Sequence, residues 1–362
     1  MLSGTKILDL SRVLAGPLCS MLLGDLGAEV IKVERPGSGD DTRGWGPPFD
    51  ARGESAYFLS VNRNKLSVAA DLDRPDDVRL LRELIAEADV VLDNFRPGTL
   101  ERRGLGAEAW RARRPALVWC TITGFQSDPG RPGYDFVVQA ESGWMAITGD
   151  SNGEPMKVGV ALADVLTGKD AAIAILAALV ERGRTGQGRR LTVSLDASAR
   201  AALVNVAQNA LVTGGEPARW GNAHPNLVPY QLFRAADRGL VIAVGSDTQW
   251  KACARALELD ALANDGSLTT NAGRVARRGE VTDTIAARVA ERPASHWHAR
   301  LSAAGVPSGV VRTVLEALAD AAGASPLTGV PSSVGGRVRR PPPRLDEHGA
   351  LIRSRGWGAF ER

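Results

Sequence analysis

Along the first hundred residues the apolar positions alternate between two spacings. Ile7–Leu10 is a short, largely apolar run of strand length, and the Ala15-Gly16-Pro17 turn follows it closely. Leu18, Met21, Leu22 and Leu26 then recur at helical spacing until Gly27 interrupts them. Val30, Ile31 and Val33 resume an extended run. A strand, a helix and a strand in that order predict a parallel pair, because the connection is long enough for a crossover helix. A second round follows, with 76–88 reading as helix and 89–92 and 117–122 as strands. No G-x-G-x-x-G follows the first strand and no G-x-x-x-x-G-K-[ST] phosphate loop occurs. The pattern is Rossmann-like without either nucleotide fingerprint.

Between Val165 and Arg182 the residues Val165, Gly168, Ala172, Ile175, Leu176 and Leu179 line one broad helical face, and Ala171 and Ala174 extend it toward close packing. Gly183, Gly186 and Gly188 end this helix, and Leu191–Leu195 reads as another strand. Residues 196–215 read as mostly helical. Val228–Phe233 and Leu240–Val244 then read as strands, and 281–304 as helix. Pro326, Pro331 and the RRPPPR run at 339–344 resist helix and central strand alike, which points to an extended return. The expected fold class is therefore α/β. A large Rossmann-like domain occupies 1–200, linker helices 201–224, a smaller α/β domain 225–325, and a return segment 326–362 completes the large domain.

Composition narrows the function classes. An apolar fraction of 44% and a charged fraction of 23% are ordinary for a globular chain of 362 residues. The formal charge of +3 is too small to announce a nucleic-acid binder. Cys19, Cys120 and Cys253 are too few and too scattered for a disulfide framework or a zinc site, so no metal is expected and the thiols read as reduced. The N-terminal stretch has no long apolar core behind a basic tip, and AAIAILAALV at 171–180 is too short to span a bilayer. A cytoplasmic protein with no membrane partner is the default expectation.

Several segments carry a more specific signal. RVLAGPLCSMLLGDLGAEVIKVERPGSGDDTR at 12–43, NFRPG at 94–98, KVGVALADVLTGKDAAIAILAAL at 157–179 and TGQGRRLTVSL at 185–195 resemble, in this order and spacing, the class III CoA-transferases, the formyl-CoA transferase and carnitine CoA-transferase family. The resemblance covers essentially the full chain. ARWGNAHPNLVPYQLF at 218–233 is similar to succinyl-CoA:dicarboxylate transferases within that family. The resemblance implies a large Rossmann-like domain, a smaller α/β domain, and two chains threaded through one another as an interlocked homodimer. It also implies CoA and acyl-CoA as substrates, with no tightly bound cofactor.

It implies site residues as well. Asp164 matches the family's nucleophilic carboxylate. By position alone it sits just before the predicted helix, where free N–H groups favour a negative side chain and where a plain helix cap is the competing explanation. A carboxylate suits this chemistry, because it can attack an electrophilic thioester carbonyl from which thiolate leaves. Tyr134 and Asp135 resemble the family's tyrosine–acidic pair, which would position the intermediate or the incoming acid. The related racemases carry histidine where this chain has Tyr134; tyrosine, with an ordinary pKa near 10, is a poor proton-transfer substitute. Gly245 lies where the family has a mobile glycine-containing loop, although Gly245-Ser246-Asp247 lacks the glycine run and a simple turn after a strand fits as well.

For CoA phosphates the candidates are Arg35, Lys65 and Arg96, the arginines through a planar fork and the lysine as a point charge. Leu14 replaces the glutamine of formyl-CoA transferases, which disfavours a formate or oxalate reaction. Arg12 is the candidate partner for a distal carboxylate, and Asn222 and His224 belong to a polar segment suited to reading the acid. The competing functions are a 2-methylacyl-CoA racemase and a non-catalytic CoA-binding protein.

Overall fold

The computed structural model describes residues 1–361. The chain divides into two compact units. The first comprises 1–145, 157–216 and 321–362, the second 146–156 and 217–320. The boundary therefore falls at 216/217, and the helices Leu195–Ala201 and Val204–Thr213 group with the first unit instead of forming a separate linker. The excursion 146–156 into the second unit has no counterpart in the sequence pattern.

The first unit is built on a six-stranded parallel sheet: β1 (Lys6–Asp9), β2 (Glu29–Glu34), β3 (Lys65–Ala69), β4 (Val90–Asp93), β5 (Val118–Thr123) and β6 (Arg190–Ser194), in the order β3-β2-β1-β4-β5-β6. That is the order of a doubly wound fold, with its reversal between β1 and β4. Both sheet faces are covered, so the strands are buried along nearly their whole length. On one face Leu8, Ile31, Val91 and Trp119 pack under the helix Pro75–Glu87 and the C-terminal helix Gly349–Arg355. On the other, Ile7, Val30, Leu92 and Cys120 pack under the helix Ala15–Asp25 and the long helix Leu162–Thr185.

β3 is not legible as a strand in the sequence because Lys65 and Ser67 break its apolar run. The structure buries both, Lys65 against Asp9 at 3.0 Å and Ser67 against Glu34 at 2.7 Å. The return segment is extended through the prolines and then forms the helix Gly349–Arg355, which sets Ile352 into the core.

The second unit has an antiparallel sheet of β7 (Tyr230–Arg234), β8 (Gly239–Ala243) and β9 (Ser308–Val310) in that order, packed by five helices between 247 and 303. The single helix expected over 281–304 is two, Arg278–Val289 and Ala294–Ala303, because Pro293 cannot continue the first and precedes the second.

Candidate active site

At the switch point the loops after β1 and β4 leave the sheet toward opposite faces and open a crevice above its carboxyl edge. A cleft of about 450 Å³ lies there. Its walls come from Arg12–Ala15 after β1, from Asn94–Arg96 after β4, from the loop 129–134 that follows β5, and from Asp164.

The long helix begins at Leu162, so Asp164 stands in its first turn and is not its cap. The free N–H groups expected to favour its charge are taken by another residue. Asp135 Oδ1 accepts from Ala163 N at 2.8 Å and Asp164 N at 3.3 Å. Its second oxygen accepts from Gln139 Nε2 at 2.7 Å, and the fully buried Gln139 also accepts the Val158 N–H at 2.8 Å. Asp164 is left with 8% exposure and, among the described residues, no hydrogen bond to its carboxylate. Burial first, and the neighbouring Asp135 carboxylate second, push its carboxyl up to about 7. A carboxylate starved of donors in this way is a better nucleophile than a capped one.

Leu14 is buried on the wall of this cleft, and Tyr134 stands at its mouth with 58% of its surface exposed. Arg96 reaches the cleft as an exposed side chain that makes no hydrogen bond or ion pair among the described residues. Arg12 lines both this cleft and an adjoining, more apolar cavity of about 310 Å³ that contains Leu10, Val33, Leu72 and Arg35. Phe95 forms part of both walls. Arg12 and Arg35 are bridged by the same carboxylate, Asp41, the former at 3.1 Å.

Lys65 is a correction. Its Nζ is fully buried and donates to Asp9 Oδ2 at 3.0 Å, Pro17 O at 2.9 Å and Asn62 Oδ1 at 2.9 Å, so all three donors are used. Burial pushes it down to about 8 against the pull of Asp9. It has no donor left for a phosphate and acts as an internal counter-ion.

Asn222, His224 and Gly245 belong to the second unit. Asn222 is exposed; His224 accepts from Asn226 N at 3.0 Å through Nδ1 and packs on Tyr230 with ring centroids 5.1 Å apart. Gly245 follows β8, and its N–H donates to Gln249 Oε1 at 2.9 Å. Ser246 caps the next helix, whose Asp247 pairs with Arg274 at 2.9 Å. A simple turn after a strand fits this pinned geometry.

Sequence reasoning missed Tyr57, on the short helix Ala56–Ser60, whose ring packs edge-on against Trp45. Burial first and then the charges of Asp164, Asp135 and Asp40 push its phenol up to about 12, which sets it within electrostatic reach of the same carboxylates. No period or motif marks it. Among the described residues there is no cluster of His, Cys, Asp and Glu that could hold a metal, and no helix long and apolar enough to cross a membrane.

A doubly wound sheet with a desolvated carboxylate facing a cleft at its switch point is the architecture of an α/β group-transfer enzyme. The family model described as CoA-transferase family III matches residues 2–349, and the chain belongs to that family. It is 46% identical over 323 residues to the succinyl-CoA:glutarate CoA-transferase of Mus musculus, covering 88% of this chain and 74% of that protein. It is 41% identical over 382 aligned positions to the succinate–glutarate CoA-transferase of Agrobacterium fabrum, covering 97% and 94%. Among solved structures, a CAIB/BAIF family protein from Brucella suis superposes with a TM-score of 0.87 at 40% identity, covering 98% of each chain. The protein is thus a class III CoA-transferase, an enzyme that exchanges CoA between an acyl-CoA and a free carboxylate through a covalent intermediate.

Proposed function

We propose that the chain transfers CoA from succinyl-CoA to a free dicarboxylic acid, with Asp164 as the residue that becomes acylated. One observation carries this reading: a buried carboxylate, free of hydrogen bonds and poised near neutral pH, facing a ligand-sized cleft. Asp164 attacks the thioester carbonyl and expels CoA thiolate, forming a mixed anhydride. The thiolate attacks the Asp164 carbonyl carbon and expels the donor carboxylate, leaving an aspartyl-CoA thioester. The acceptor carboxylate attacks that thioester and releases thiolate, which then takes the acceptor's acyl group and frees Asp164. Each step exchanges one acyl bond for another and requires no electron transfer.

The tetrahedral adducts need donors for a developing oxyanion. Leu14 and Ala15 line the cleft, and their N–H groups make no hydrogen bond among the described residues, which suits that role. The apolar cavity beside Arg35 suits the adenosine end of CoA, and the shared Arg12 and Phe95 connect it to the Asp164 cleft. Arg35 and Arg96 are the phosphate contacts in this reading. Tyr134 and Asp135 serve as orienting groups, Asp135 by drawing the helix N–H groups away from Asp164. Succinyl-CoA as donor is supported by the succinyl-CoA:glutarate and succinate–glutarate relatives, and a C4–C6 dicarboxylate is the acceptor in this reading, with Arg12 available to its distal carboxylate. Gly245 is assigned no mobile role.

Intact-protein mass spectrometry after mixing with succinyl-CoA tests the reading. A CoA adduct that maps to Asp164, is discharged by glutarate, and is missing from Asp164→Ala is the expected result. No adduct together with α-proton exchange of a 2-methylacyl-CoA would favour the racemase instead; CoA binding without either activity would favour a non-catalytic protein.

A further inference from the structure

The turn between β1 and the helix Ala15–Asp25 contains a backbone outlier. Val13 has φ +74°, in the left-handed region that penalises a β-branched side chain. Such a conformation persists where its surroundings over-determine it. Here every backbone polar group from Ser11 N to Val13 N is held by a side chain. Ser11 N–H donates to Asp9 Oδ1 at 2.9 Å, and Ser11 O accepts from Lys32 Nζ at 3.0 Å. Arg12 N–H donates to Asn94 Oδ1 at 3.0 Å, and Arg12 O accepts from Asn94 Nδ2 at 2.8 Å. Val13 N–H is shared between the two Asp40 oxygens at 3.2 and 3.3 Å.

These holders are themselves immobilised. Lys32 and Asp40 pair at 2.9 Å with both side chains fully buried, and Asp9 is locked by Lys65. Burying two lysines and their partners under one turn is a costly way to stabilise a sheet that apolar residues would stabilise as well. The residues directly after the turn, Leu14 and Ala15, line the cleft containing Asp164, and their N–H groups make no hydrogen bond among the described residues. Thr123, which also lines that cleft, has a buried hydroxyl with no partner among the described residues.

We propose that Asn94 is a positioning residue for the transfer: reaching across the switch point from the loop after β4, it grips Arg12 and, together with Asp40 and Lys32, forces Val13 into the left-handed turn that sets the Leu14 and Ala15 N–H groups against the acyl carbonyl on Asp164. The proposal rests on the reading of Asp164 as the acylated residue. When the thiolate adds to that carbonyl the oxygen gains the charge, and it loses it again as the carboxylate leaves; the turn's part is to keep the donors where that charge appears.

The test is a rescue. Asn94→Ala is expected to lower kcat by about 10²-fold while leaving KM for succinyl-CoA nearly unchanged, as small misplacements of catalytic donors do. Adding Val13→Gly to that variant is expected to restore about tenfold, because glycine enters the left-handed region without being forced. Asn94→Ser serves the same comparison if the alanine variant does not unfold cooperatively. A wild-type kcat in the Asn94 variant overturns the proposal. So does a loss that Val13→Gly leaves untouched, since Asn94 would then act by contact with substrate. Absence of the Asp164 adduct in the wild-type protein overturns the underlying reading of the reaction, and is distinguished by being seen before any variant is made.

Discussion

Asp164 has no donor of its own, and this makes its chemistry depend on pH. Its carboxyl titrates near 7 in the folded protein, through burial first and Asp135 second, against an ordinary value of 3.8. The nucleophile is the ionised form, so kcat/KM is expected to rise tenfold per pH unit below about 7 and to level off above it. Stability runs the other way. Between the ordinary and the raised value the folded state holds more protons than the unfolded one, so Asp164 weakens the fold as pH climbs through that window. Asp164→Asn should therefore be more stable than the wild type at pH 8, by at most about 4 kcal/mol, with the gap closing below pH 4. Thermal unfolding of both proteins across that range checks the sign; an equal gap at both pH values would mean that Asp164 is not desolvated. Lys65 shows the opposite outcome at the same scale. Its type and its place beside Asn62-Arg63-Asn64 suggest a phosphate contact, and only the three buried acceptors around its Nζ reveal an internal ion pair.

Two helices bring the site's chemistry together. The helix Ala15–Asp25 starts at the Val13 turn, and the long helix Leu162–Thr185 starts beside Asp164. They come close at Gly168, where an added Cβ would stand 2.6 Å from Ala15 O. Backbone cannot yield there as a flexible side chain would, so Gly168→Ala should destabilise the protein by about 1–3 kcal/mol and lower kcat by shifting the cleft walls apart. Urea unfolding together with steady-state kinetics would measure both; a neutral result would mean that the helices slide without cost. The small residues Gly168, Ala171 and Ala172 mark this face in the sequence as one for close packing, and the contact falls on it. The elements that escape sequence reasoning do so for identifiable reasons. Polar Lys65 and Ser67 hide β3, Pro293 splits one helical stretch into two, and β9 is only three residues long.

At the scale of the molecule, the helix Val204–Thr213 has no buried residue in the single chain, with Val204, Leu211 and Val212 between 70% and 79% exposed. Ile173 and Val180 on the long helix are also largely exposed. Apolar surface of this kind is seldom left to solvent, and it suits the interlocked homodimer implied by the family resemblance. Light scattering is expected to give a mass of twice the 38.2 kDa chain, independent of protein concentration over the micromolar range. A monomer at those concentrations would remove the dimer from the reading.

Periodicity and motif order are enough for the parallel α/β core and its family, because buried strands and amphipathic helices leave their spacing in the chain and because several motifs recur in one order. Asp164, Tyr134, Leu14 and Arg96 can be named as a set for the same reason. What folding decides is which polar groups are spent on one another. Asp135 takes the N–H groups that Asp164 would have used, Asp9 takes Lys65, Asp41 bridges Arg12 and Arg35, and Asn94 meets Arg12 from 82 positions away. Hydrogen bonds and ion pairs are short-ranged and satisfied by whichever partner the sheet order brings near, so no spacing along the chain announces them.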